Sequence, residues 1–184
     1  MKLDDWLKID LNELSSLTGS VDEKQLEDLC QHILAAKRIF VVGKGRTGLV
    51  MEMFAMRLMQ MGLTAFVAGA STTPAIRGSD LLVAGSGSGE TAGVVSSAKK
   101  AAKEKAKLAV ITSQPESILA KMADSLVILP GGVSKLNIDQ ESKIPLGSVL
   151  EQSLLVVLDG VSAYLAKELH QTNRTMMERH ANLE

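Results

Sequence analysis

At 184 residues, with 46% apolar and 22% charged residues and a net charge of −1, the chain has the makeup of one globular domain and excludes a broad nucleic-acid surface. Only 3% of residues are aromatic, too few for the stacking platforms of a single-strand binder, and a lone Cys30 excludes an intramolecular disulfide and suits a reducing compartment. The charged start MKLDDWLKID is no signal peptide, and no apolar run approaches the ~20 residues of a bilayer span, so the chain is read as cytoplasmic, without a membrane or nucleic-acid partner.

Leu3, Trp6, Leu7, Leu11, Leu14 and Leu17 share one face of a helix over residues 2–18. Ser20 and Glu23 have capping-box spacing and predict a second helix through Leu26, Leu29, Ile33 and Leu34. A first strand is expected at Arg38–Val42, then a helix at Leu49–Met61 that Gly62 stops. Further strands are expected at Thr64–Val67, Leu81–Ala84, Leu108–Thr112 and Leu126–Leu129. Helices are expected at Thr91–Ala106, with its lysines on a solvated face, and at Ser117–Met122, Ser148–Leu169 and Thr172–His180. Pro130-Gly131-Gly132 opens a polar, irregular stretch to residue 144, long enough to suggest a functional loop. The alternation predicts an α/β fold with a parallel sheet of about five strands and helices on both faces. It is read as a single domain over 1–184, with N-terminal helices at 1–37, the sheet core at 38–130 and C-terminal helices at 145–184.

Two strand ends carry glycine-rich loops. Leu81–Thr91 reads LLVAGSGSGET, placing Ser86, Ser88 and Thr91 where a strand ends and a helix begins. Glycine lets backbone N–H groups approach a ligand, and the first helical turn adds unpaired donors and the positive dipole end, so the stretch suits a phosphate. No Gly-Lys-[Ser/Thr] closes it, which excludes the ATP-binding P-loop. Gly43, Gly45 and Gly48 fit the dinucleotide fingerprint, but the second strand ends in Val67-Ala68-Gly69-Ala70-Ser71 without the acid that holds a ribose. Lys44 and Arg46 inside that turn suit a compact phosphate instead.

The pairing of GKGRTG with SGSGET resembles the sugar isomerase (SIS) domain. FAMRLM at Phe54–Met59, Thr72-Thr73-Pro74, Ile111-Thr112-Ser113, Pro145-Leu146-Gly147-Ser148 leading to Glu151, and the terminal RHANLE from Arg179 extend the likeness to the 6-phospho-3-hexuloisomerase family. That resemblance implies a three-layer sandwich that interconverts D-arabino-hex-3-ulose 6-phosphate and D-fructose 6-phosphate through an enediol. It implies no metal or organic cofactor, a homotetramer, and a place in the ribulose monophosphate pathway. It also implies that Ser86, Ser88 and Thr91, with loop N–H groups such as that of Gly87, hold the phosphate. By the same resemblance Gly45 and Arg46 are expected to approach the sugar or phosphate, Glu151 to be the base, and His180 to be a second acid or base for ring opening or proton shuttling. A carboxylate suits the base role where partial burial holds it nearer the working pH.

The chain departs from the family at Gln60, where His is frequent, and at Ala70-Ser71, where Glu often precedes Thr-Thr-Pro. Gln cannot transfer a proton at neutral pH. Two alternatives therefore stand beside the isomerase: an isomerase of another phosphosugar, and a non-catalytic phosphosugar sensor. A DNA-binding sensor would need a basic recognition helix, which residues 1–37 lack. Met51, Met53, Met56, Met59 and Met61 are expected to fill the core. The run Leu154–Leu158 is apolar beyond one helix stripe, which predicts association with other subunits.

Overall fold

The structure, a computed structural model, describes residues 1–129 and 142–183; most of the loop expected at 131–144 lies outside the described residues. Five parallel strands, β1 (Ile39–Val42), β2 (Ala65–Val67), β3 (Leu81–Gly85), β4 (Lys107–Thr112) and β5 (Ser125–Ile128), lie in the order β2-β1-β3-β4-β5. Helices alternate with them: α1 (Leu3–Thr18), α2 (Glu23–Ala35), α3 (Gly45–Gln60), α4 (Ala92–Lys103), α5 (Ile118–Met122), α6 (Ser148–Glu168) and α7 (Asn173–Met177). The expected strands and helices are all present, with shifts at their ends.

Successive strand residues point to opposite faces, so the apolar runs build two cores. Ile39, Val41, Leu81, Val83 and Ile111 pack with buried residues of α2, α3 and α6 on one face. Phe40, Val42, Leu82, Ala84 and Val110 pack with Val94, Ala98 and Ala101 of α4 and Leu119 of α5 on the other. At the lower edge, the Arg38 guanidinium donates to both carboxylate oxygens of Asp80, at 3.0 and 2.6 Å, joining the starts of β1 and β3. Burial works to raise the Asp80 carboxyl, but the hydrogen bonds from Arg38 and from the Arg77 N–H, with the guanidinium charge, hold it below its ordinary value.

Two expectations need correction. Ser20 does not cap α2: its hydroxyl donates to the Leu17 carbonyl and closes α1, while Asp22 caps α2 by accepting from the Lys24 N–H at 2.9 Å. A carboxylate two residues closer to the helix outcompetes the hydroxyl. The methionines of α3 do not all fill the core. Met51 is buried, with Met61 just beyond the helix, but Leu49, Met53, Met56 and Met59 form an exposed stripe along the outer face. Helix α6 is long and apolar enough by length and composition to cross a membrane. It is nevertheless a core helix, packed with α2 and α3 through Leu150, Leu154, Val157, Leu158, Val161 and Leu165, with α1 alongside it.

Candidate active site

The chain runs from β1 to β2 on one side and then crosses to β3 on the other, so strand order reverses between β1 and β3. These two strands pair directly, Val42 beside Ala84, and their carboxyl ends deliver both glycine loops to one place, the usual ligand crevice of such sheets.

In the first loop, a Cβ on Gly43 would stand 2.9 Å from the Gly48 Cα, so helix α3 starts in contact with the end of β1. Gly45 opens α3 at φ +60°, a left-handed conformation that side chains disfavour. The glycines thus hide the first turn of α3, which begins four residues before the expected Leu49.

In the second loop, the buried Ser86 hydroxyl accepts from the Gly89 N–H at 3.1 Å and lies 3.0 Å from the Thr91 hydroxyl. Thr91 does not cap α4 with its side chain, although it occupies the N-cap, so the two hydroxyls stand together beside the helix N-terminus. Ser88 accepts from the Glu90 N–H at 3.2 Å. The Gly87 carbonyl accepts from the Thr112 hydroxyl, the Ser113 hydroxyl and the Ser113 N–H, at 3.2, 2.8 and 3.2 Å. Glu90 accepts from the Ile118 N–H at 2.9 Å and pins the loop to α5. The loop is therefore held in shape by its own neighbours before any anion arrives, which lowers the ordering cost of binding.

The third element is the start of α6. Leu150 lies over the loop so closely that a Cβ on Gly87 would stand 2.3 Å from its Cδ2. Its neighbour Glu151, whose side chain is 18% exposed, forms an ion pair with the Nε of Arg46 from the first loop. Thr47, Ser86, Gly87, Leu150, Glu151 and Leu154 line one narrow cleft. Helix α1 braces this corner: Asp10 accepts from the Gln152 amide at 2.8 Å, and Glu13 accepts from the Ser142 hydroxyl and the Lys143 N–H.

The fold thus gathers Arg46, Ser86, Gly87, Thr91 and Glu151, with Gly45 and Ser88 on the adjoining loops. It does not bring His180 to them. Arg179 donates to the Gln60 carbonyl at 3.3 Å, which ties the C-terminal segment to the far end of α3. Gln60 lies fourteen residues along α3 from Arg46, a rise of roughly 21 Å. Gln60 sits there too, buried and accepting from Arg57 at 2.8 Å. Sequence reasoning passed over Thr47, Leu150, Asp10 and Glu13. Periodicity marks Leu150 as apolar and nothing more, and no local pattern marks a brace that spans 142 residues from Asp10 to Gln152.

A doubly wound sheet with two glycine loops and an acid at its switch point defines an anion-binding α/β protein. The SIS domain family matches residues 32–138. The chain is 43% identical over 173 residues to the 3-hexulose-6-phosphate isomerase of Mycobacterium gastri, covering 94% of this chain and 87% of that one. It is 37% identical over 185 residues to the 3-hexulose-6-phosphate isomerase of Bacillus subtilis (strain 168), covering both chains fully. A crystal structure of a hypothetical protein from Methanococcus jannaschii, for which a function of 3-hexulose-6-phosphate isomerase was inferred, superposes with a TM-score of 0.84 at 33% identity, over 98% of this chain and 99% of that one. The chain belongs to the SIS domain family and, within it, to the family of the 3-hexulose-6-phosphate isomerases.

Proposed function

We propose that the protein interconverts D-arabino-hex-3-ulose 6-phosphate and D-fructose 6-phosphate. The observation that carries this reading is the shared cleft of Glu151 and the Ser86–Gly87 loop: an acid stands beside an anion cradle. The phosphate sits at the N-terminus of α4, held by Ser86, Ser88, Thr91 and the loop N–H groups, and the sugar chain runs toward Glu151 and Arg46.

Moving the carbonyl from C3 to C2 needs a proton to leave C2 and another to arrive at C3. Glu151 takes the first, leaving an enediol with a double bond between C2 and C3, and returns it to C3. The proton on the O2 hydroxyl leaves as the new C2 carbonyl forms, and the O3 oxygen gains one. Arg46, paired with Glu151 and 64% exposed on its side chain, orients the carboxylate and meets the developing negative charge on the oxygens. The proton that O2 loses is the one O3 gains, and this transfer between the oxygens is the step that falls to His180 as acid and base.

His180 acts only from a neighbouring subunit on this reading, because its own chain holds it at the far end of α3. The exposed stripe of Leu49, Met53, Met56 and Met59, with Leu3, Leu7 and Leu11 of α1, supports self-association, and a homotetramer is the assembly we propose. A cytoplasmic location and a role in the ribulose monophosphate pathway complete the reading. The buried, unpaired Cys30, its thiol pushed up to about 11 by burial and by the nearby Glu168 and Glu27 carboxylates, suits a reducing compartment.

A coupled assay tests the function: hex-3-ulose 6-phosphate is supplied and fructose 6-phosphate is followed. Steady formation is expected. Binding of the sugar phosphate without turnover would favour the sensor reading instead.

A further inference from the structure

The two cations of the first glycine loop have separate surroundings. Arg46 is engaged by Glu151. Lys44, at the N-cap of α3, leaves the chain from extended backbone, and its stem crosses to the first turn of α4. A Cβ built on Gly93 would stand 3.1 Å from the Lys44 Cε and 3.9 Å from its Cγ, so the absence of a side chain at Gly93 makes the track the lysine follows. Among the described residues no carboxylate forms an ion pair with Lys44, although Glu52 lines the hollow beside it.

Electrostatics makes this placement informative. The N-terminus of a helix carries the positive end of its dipole and disfavours a cation. Lys44 stands at the N-terminus of α3 and lies across that of α4, so both helices repel its charge. An anion at the α4 N-terminus would offset this repulsion, and the Ser86–Thr91 loop that leads into α4 is the phosphate cradle of the proposed reaction. We propose that Lys44 is a substrate-binding residue that meets the phosphate as a point charge from across the α4 N-terminus, supplementing the hydroxyl and N–H donors. This inference rests on the phosphosugar reading of the site. It assigns the loop's two cations to the two ends of the substrate: Arg46 to the reacting carbons, Lys44 to the phosphate.

The test is calorimetric titration of the full-length protein with fructose 6-phosphate and with inorganic phosphate, for wild type, Lys44→Met and Lys44→Arg. At low ionic strength Lys44→Met is expected to bind both anions about tenfold more weakly, the loss of one charge-assisted contact. The deficit should shrink to about twofold near 0.5 M salt, because an exposed charge is screened. Lys44→Arg should restore most of the affinity. In turnover the loss should fall on KM rather than kcat, since the phosphate does not react. Without ligand, Lys44→Met should melt no lower than wild type, as the substitution relieves repulsion. Equal affinities of wild type and Lys44→Met, or a deficit indifferent to salt, would overturn the proposal while leaving an active isomerase in place. A wild type that binds phosphate through Lys44 without isomerising would sink the enzyme reading and leave this one standing. Failure of wild type to bind either anion would overturn both.

Discussion

Arg46 and Glu151, 105 residues apart in the chain, meet as an ion pair across the cleft between the α3 and α6 N-termini. The contact is long-range in sequence and local in the fold, because β1 ends where α6 begins to cover the sheet. It fixes the carboxylate next to the Ser86–Gly87 loop, so that on the proposed reading a sugar whose phosphate occupies the cradle presents its reacting carbons to Glu151. Leu150 sets the same geometry from behind, since its packing on Gly87 docks the first turn of α6 onto the loop.

Glu151→Gln is expected to lower kcat by about 10³-fold, in the range a lost general base costs, while fructose 6-phosphate binds within about threefold of wild type. Gln keeps the shape and hydrogen bonds and loses the proton acceptor. Turnover kinetics and a binding titration on the same preparation check this. Near-wild-type kcat would remove Glu151 from the mechanism.

Ser88→Ala is expected to weaken binding of fructose 6-phosphate and inorganic phosphate by about tenfold, one hydrogen bond to a charged group. Its only described contact within the loop is the 3.2 Å bond from the Glu90 N–H, so folding should be little affected. Competitive inhibition by phosphate gives the affinity, and a thermal melt verifies the fold. Unchanged inhibition would make the loop a turn and nothing more.

The strands and helices were legible because each apolar run has the period its element requires, and the strand ends announced themselves by glycine. The Ser86–Thr91 loop announced its strand-to-helix turn by residue types alone, and its hydroxyls gather at the start of α4 as that turn requires. Two things could not be read. The exposure of Met53, Met56 and Met59 depends on which face of α3 meets the sheet, and a helix with apolar residues around most of its circumference leaves that undetermined. The separation of His180 from Glu151 depends on tertiary contacts of Arg179 with Gln60, which no spacing encodes. Motif likeness proposes a set of site residues, but carries no information on whether one chain suffices to bring them together.

Asp80 gives the fold an acid-sensitive clamp. Its folded carboxyl lies below the ordinary value, so the stabilisation it provides is complete above the unfolded carboxylate value of about 3.9 and is lost as pH falls through the folded one. Asp80→Asn is expected to cost roughly 1–3 kcal/mol near neutral pH, because Arg38 and the Arg77 N–H lose their charged acceptor. The gap between the two proteins should close as the pH is taken well below 4. Urea unfolding across that pH range measures it. A gap that stays constant into acid would show that the contact matters for packing rather than for charge.

The far placement of His180 makes a sharper demand on the assembly. If His180 serves a neighbouring subunit's Glu151, Glu151→Gln and His180→Ala proteins are each impaired for different reasons, and a mixed oligomer contains sites that combine an intact Glu151 with an intact His180. After the two variants are unfolded together and refolded at equal concentration, random assembly should restore activity at about a quarter of the sites, since each intact site draws its two residues from two different chains. Refolding each variant alone supplies the baseline, and size-exclusion chromatography confirms that the mixture associates. Recovery to that level requires the two residues to come from different chains, because no single chain in the mixture carries both. If the mixture associates yet shows only the average of the two separate activities, His180 has no part in the neighbour's chemistry, and the reaction must be carried by Glu151 and Arg46 within one subunit.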